Sequence, residues 1–248
     1  MQFPVSLQPM RRYILVMTAF LRPVLILLVA LLPMTGCGEV PARKPDARIL
    51  MMGDSMLAWN GGTGQAVSDA IEDTLNEPVV DRSVIGARMI YPLPLTGAAG
   101  LNIPKQFRAG DWDWIVVNGG GNDLWLGCGC IVCTRKIDRL AAQDSSDGAI
   151  PDLIAQLRAT GAQVIYTGYL RSPGRGSPID HCKKDGQELD RRIARLAEVT
   201  EGVFFLSLDG LVPHGDLTFH AIDRIHPSIK GSAAIGAKIA ALIEHEES

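Results

Sequence analysis

The chain has 248 residues, of which 47% are hydrophobic, 21% charged and only 6% aromatic, with a formal net charge of −3. This balance excludes a mainly disordered, collagen-like or multi-span membrane protein, and the mild acidity leaves no basic footprint for nucleic acid. The −3 is an average over two unlike parts. Residues 1–36 carry Arg11, Arg12 and Arg22 and no acidic residue, which leaves 21 basic against 27 acidic residues, a net of −6, in residues 37–248.

The first segment reads as an export signal. A basic flank precedes the apolar run 23–33, which is shorter than a membrane span needs, and small residues follow it. The run ends at Met34-Thr35-Gly36-Cys37, similar to a bacterial lipoprotein box with Cys37 as the acylated residue. The expected organisation is a signal over 1–36, a polar tether over 37–46 with two prolines, and one domain over 47–248. The expected location is the periplasm or cell envelope, with lipid on Cys37 as the membrane attachment. The acidic mature part offers little direct attraction to anionic membranes.

Beyond the tether, short apolar runs alternate with segments of helical period, the pattern of βαβ units around a parallel sheet. Strands are expected at Ala47–Met52, Pro78–Ser83, Trp114–Asn118, Gln163–Thr167 and Val203–Leu206. Helices are expected at Gly64–Leu75, Ile150–Thr160, Gly186–Thr200 and Ser228–Glu244. Gly161 fits a helix C-terminal cap, and the last helix repeats Ile229, Ala233, Ile235, Ile239 and Leu242 near a 3.6 period. A Cys-rich, then Asp/Ser-rich stretch between Gly127 and Gly148 breaks the alternation and reads as an insertion near the active site.

Three short blocks could carry chemistry. In the first, an apolar strand runs into Gly53-Asp54-Ser55, and ligands of open parallel sheets bind at such carboxyl ends. Taken alone, Asp54 or Ser55 as a helix cap is the better explanation. In the second, a strand ends in Gly119-Gly120-Gly121-Asn122-Asp123, where an Asn side chain can donate to an oxyanion. No phosphate-loop spacing accompanies those glycines. In the third, Asp223 and His226 stand three apart before Pro227, so the carboxylate can orient the imidazole.

In this order, Gly53-Asp54-Ser55, Gly86, Gly120-Gly121-Asn122-Asp123 and Asp223–His226 resemble the SGNH (GDSL-type) hydrolase family. Met56 replaces the Leu of the family name. The resemblance implies a three-layer α/β/α sandwich with a flavodoxin-like parallel sheet. It further implies a Ser55–His226–Asp223 triad and an oxyanion hole from the Ser55 and Gly86 N–H groups and the Asn122 side chain. The activity it implies is hydrolysis of O-acyl esters through an acyl-enzyme, with no metal or organic cofactor. Short-chain or carbohydrate-linked acetyl esters suit the expected compartment. A lysophospholipase or lipase-like esterase, an O-acyltransferase and a non-catalytic envelope lipoprotein retaining the fold are the alternatives.

Asp54 and Asp123 read as structural carboxylates that bond backbone N–H groups. His181, His214, His220 and His245 read as surface or loop residues, with His220 close enough in sequence to line the site. Cys128, Cys130, Cys133 and Cys182, in an exported chain, suggest two disulfides, one of them joining the cluster to Cys182. The competing reading is a four-cysteine zinc site. Trp59 and Trp125 could form an apolar or sugar-stacking rim or pack the loops, whereas Trp112 and Trp114 read as core. Arg171 and Arg175 lie in a loop that is by default solvated and could meet an anionic substrate.

Overall fold

The computed structural model describes Lys44, residues 46–174 and residues 176–248. The expected signal, most of the tether, Cys37 and Arg175 therefore lie outside the described residues.

Five strands form one parallel sheet: β1 (Ile49–Met52), β2 (Val79–Asp81), β3 (Trp114–Val117), β4 (Gln163–Thr167) and β5 (Val203–Leu206). The strand order is β2-β1-β3-β4-β5. Every residue of β1 and β3 is buried, because helices cover both faces of a parallel sheet and leave no solvated side. Alternation along the strands divides the core in two. Ile49, Met51 and Val116 face one layer with Val67 and Ile71 of α2 (Val67–Leu75) and Ile235, Ile239 and Ile243 of the C-terminal helix Ile229–Glu247. Leu50, Met52 and Val117 face the other layer with Ile150 and Leu153 of helix Ala149–Arg158 and Leu189 and Ile193 of helix Lys183–Val199. This is the expected three-layer α/β/α sandwich with flavodoxin-like strand order.

In chain order the α-helices of four or more described residues are α1 (Ser55–Ala58), α2, α3 (Gly121–Cys128), α4 (Thr134–Leu140), α5 (Ala149–Arg158), α6 (Lys183–Val199) and α7 (Ile229–Glu247). The close approach of α2 and α7 depends on Gly236, where an added Cβ would fall 2.5 Å from the Ala70 Cβ.

The expected strands over 163–167 and 203–206 have the bounds anticipated, and Gly161 takes the left-handed conformation of a cap at φ 93°. Most of the expected helix boundaries move, by one to three residues. The helix expected from Gly64 starts at Val67, since Gly64 itself is left-handed (φ 66°) and the Asp69 carboxylate takes the Ala66 N–H at 2.7 Å. Ser228 is the cap of α7 rather than its first residue, accepting from the Gly231 N–H at 3.1 Å. The helix expected from Gly186 begins three residues earlier, at Lys183.

The stretch expected as an irregular insertion holds α4, and α3 runs up to it. Among α4 residues only Ile137 and Leu140 are buried, too few for a periodic signal. Among the described residues no helix is long and apolar enough to cross a membrane.

Candidate active site

In this strand order the chain leaves β1 toward one side of the sheet and enters β3 on the other, so the crevice at their carboxyl ends is a topological switch point. The Ser55 block follows β1, and the Asn122 block follows β3.

The turn after β1 is braced by two buried side chains that the sequence did not single out. Gln106 accepts the Gly53 N–H at 2.7 Å and donates to the Gly53 carbonyl at 2.8 Å. Asn118 accepts the Asp54 N–H at 3.0 Å. Gly53 is required here, because a Cβ would lie 2.5 Å from the Asn118 Oδ1. Neither Gln106 nor Asn118 belongs to a motif, and their spacing from Gly53 carries no periodic signal.

Asp54 caps α1, accepting the Met56 N–H at 3.0 Å, and its other oxygen accepts the Tyr169 hydroxyl. Burial pushes the Asp54 carboxyl above its ordinary value, against the opposing bonds from Tyr169 and Met56. Asp123 accepts the N–H groups of Met89 and Ile90 at 2.8 and 2.9 Å. Both carboxylates thus bond backbone N–H groups, as expected.

Ser55 heads α1 and is 7% exposed. Its Oγ lies 2.9 Å from Nε2 of His226, and Nδ1 of His226 lies 2.6 Å from Oδ2 of Asp223. The other Asp223 oxygen accepts the N–H groups of Ile225 and His226 at 2.9 and 3.0 Å. Burial alone would raise the Asp223 carboxyl, but the bonds from His226 and these N–H groups outweigh it and hold it below the usual value. A carboxylate kept charged against Nδ1 fixes a proton there and leaves Nε2 as the acceptor facing the Ser55 hydroxyl. Ser55 stands 171 residues before His226 in sequence, Asp223 and His226 share one turn, and the three meet in one hydrogen-bonded chain.

A cavity of about 390 Å³ opens onto Ser55, His226 and Asn122. One Asn122 Nδ2–H donates to the Ala87 carbonyl at 3.1 Å, and an amide carries a second. Gly86 sits in a left-handed turn (φ 81°) beside Ala87, and is not among the described residues that line the cavity.

Trp125 lines the cavity wall, while Trp59 packs elsewhere: its ring stacks on His226 with centroids 3.8 Å apart and planes 4° from parallel. Trp112 and Trp114 are buried, as expected. Arg171 departs from expectation. It lines the cavity but is not a solvated loop residue, since its guanidinium pairs with Asp190 against α6. His181, His214 and His245 are exposed, and His214 also touches the cavity. His220 is buried instead, where burial pushes its imidazole below the ordinary value.

The cysteines pair as Cys128–Cys133 and Cys130–Cys182. The pairing takes up the four thiolates that a zinc site would need, which overturns that reading. Cys130–Cys182 fastens the segment after α3 to the start of α6, and Cys182 is part of the cavity wall.

A parallel α/β sandwich with a hydrogen-bonded Ser-His-Asp chain at its switch point fits the SGNH class of hydrolase. Residues 51–234 match the GDSL-like lipase/acylhydrolase family, and the chain belongs to that family of ester-hydrolysing enzymes. Solved structures share the fold. A psychrotrophic esterase, EstA from Pseudoalteromonas sp., inhibited by monoethylphosphonate, is 16% identical with a TM-score of 0.53, covering 80% of this chain and 97% of its own. A family two carbohydrate esterase from Clostridium thermocellum in complex with cellohexaose is 18% identical with a TM-score of 0.50, covering 82% and 66%. A Streptococcus pneumonia protein provisionally named as a platelet activating factor is 15% identical with a TM-score of 0.57, covering 83% and 86%. No curated protein matches the chain.

Proposed function

We propose that the protein is an exported serine esterase that cleaves short-chain or carbohydrate-linked O-acyl esters through an acyl-enzyme on Ser55. The observation that carries this reading is the continuous chain from Ser55 Oγ through His226 to Asp223, opening on the same cavity as Asn122.

Serine is a weak nucleophile at its own pKa, so His226 Nε2 takes the hydroxyl proton as Oγ attacks the acyl carbon. Asp223 holds the ring in the needed tautomer and stabilises the imidazolium that forms. Charge builds on the carbonyl oxygen, and the Ser55 and Gly86 N–H groups with the second Asn122 N–H are the proposed donors. Each such donor lowers the barrier by about 3 kcal/mol. His226 returns the proton to the leaving alcohol, then activates a water that attacks the acyl carbon and frees Ser55.

The cavity wall is mainly apolar, with Leu124, Trp125, Leu170, Ile179 and Val212, and Arg171, Asp209 and Lys183 stand among these side chains. The Trp125 ring beside hydrogen-bonding charged groups suits a hydroxylated sugar ring, and the apolar part of the wall suits the acyl group. The Clostridium thermocellum structure holds cellohexaose. Export and a lipid anchor at Cys37 rest on residues 1–37 of the sequence. Paired cysteines suit an oxidising compartment. Hydrolysis rates over acyl chain lengths, together with acetate release from acetylated polysaccharide, test the substrate. Acetyl preference is expected, and preference for long-chain lipid esters would overturn it.

A further inference from the structure

His226 is held on its two nitrogens by Ser55 and Asp223, and it is also held on a face. The Trp59 indole lies parallel to the imidazole, with centroids 3.8 Å apart and 4° between planes. Trp59 ends the single helical turn that Ser55 begins, and its N–H donates to the Ser55 carbonyl at 2.9 Å. Residues at i and i+4 lie on the same side of a helical turn. One turn therefore brings a hydroxyl to the edge of the imidazole and an aromatic plane to its face.

Trp59 is half-buried and is not among the described residues that line the cavity, so its contact is with the base rather than with the space open to substrate. A parallel ring at van der Waals distance removes rotation of the imidazole about its side-chain bonds. The same ring, with its negative π face, attracts the imidazolium more strongly than the neutral imidazole. Both effects act when Ser55 gives up its proton, and neither contributes to substrate binding.

We propose that Trp59 is a positioning residue for His226, which fixes the plane of the imidazole and favours the cation formed during proton transfer. The inference rests on the triad reading above. It assigns to Trp59 an effect on turnover through His226, carried by an aromatic face and not by bulk alone.

The test compares three variants in the full chain with p-nitrophenyl acetate. Trp59→Leu and Trp59→Met keep an apolar cover without a ring, and Trp59→Phe keeps a smaller aromatic face. The Leu and Met variants are expected to lose about tenfold in kcat with KM within about twofold of wild type, while Phe restores kcat to within about threefold. Thermal melting checks each fold, and the Met variant carries the comparison if the Leu variant does not fold. Wild-type kcat in the Leu or Met variant would overturn the proposal, as would a raised KM at unchanged kcat, which marks a substrate contact. Ser55→Ala measured alongside separates the two claims. Turnover by Ser55→Ala removes the triad reading itself, whereas an inactive Ser55→Ala with wild-type Leu and Met variants removes only the role of Trp59.

Discussion

The Tyr169 hydroxyl joins the two halves of the site: it donates to Asp54, beside the nucleophile, and accepts the Gly121 N–H at 2.8 Å, beside Asn122. Gly121 leaves room for this contact, since a Cβ there would sit 2.6 Å from the Tyr169 ring. The loops after β1 and β3 are thereby tied through a residue that follows β4.

Tyr169→Phe leaves a buried carboxylate oxygen and a backbone N–H without this partner. It is expected to lower unfolding free energy by about 1–3 kcal/mol, and to slow ester turnover because both loops carry reacting groups. Urea unfolding with an unchanged m-value checks the first part. An unchanged midpoint would show that water replaces the hydroxyl at no cost.

Asn122 has one N–H on the Ala87 carbonyl and a second to offer the oxyanion. Asn122→Ala is expected to reduce kcat by about 10²–10³-fold with KM close to wild type. A kcat within a few-fold of wild type would exclude Asn122 from the oxyanion hole.

The two disulfides close loops of unlike length, with sequence separations of 52 for Cys130–Cys182 and 5 for Cys128–Cys133. Chain entropy alone assigns about 4 kcal/mol to the longer loop and about 2 kcal/mol to the shorter. Replacing Cys130 and Cys182 together by Ala is expected to cost more stability than replacing Cys128 and Cys133, read by guanidinium unfolding. The reverse order would show that native contacts in the short loop, and not loop closure, dominate.

Burial raises the Asp123 carboxyl to about 6, against the opposing N–H bonds from Ile90 and Met89. A folded value above the ordinary 3.8 means that folding favours the protonated form. Its contribution is complete below about pH 4 and is lost as pH rises through about 6. Asp123→Asn does not titrate, so its stability deficit against wild type should be largest at pH 4 and shrink by about 1–3 kcal/mol by pH 7. A deficit that grows with pH would contradict this.

The strands were legible in the sequence because each rests on local pattern, and the grouping of Ser55, His226 and Asp223 was legible through the ordered family blocks that carry them. Trp114–Val117 is an unbroken apolar run, and Ser55, Asn122 and Asp223–His226 sit in short blocks at strand ends. Gln106, Asn118 and Tyr169 were not legible. They act through contacts 48 or more residues away in the chain, and a single Gln, Asn or Tyr has no spacing to betray it. The stack of Trp59 on His226 was hidden for the same reason, and Arg171 misled because Asp190 lies 19 residues beyond it on α6. The short helix α4 escaped because seven residues cannot establish a period.

The central claim is that Ser55 is the nucleophile, activated through His226 and Asp223. Mass spectrometry after a fluorophosphonate probe tests it most directly. One phosphonyl group per chain is expected, on the peptide containing Ser55, with loss of esterase activity in step with labelling. In Ser55→Ala both the label and the turnover of p-nitrophenyl acetate should vanish while the melting temperature stays near wild type. Full turnover by Ser55→Ala, or a label on another residue with activity lost, would contradict it.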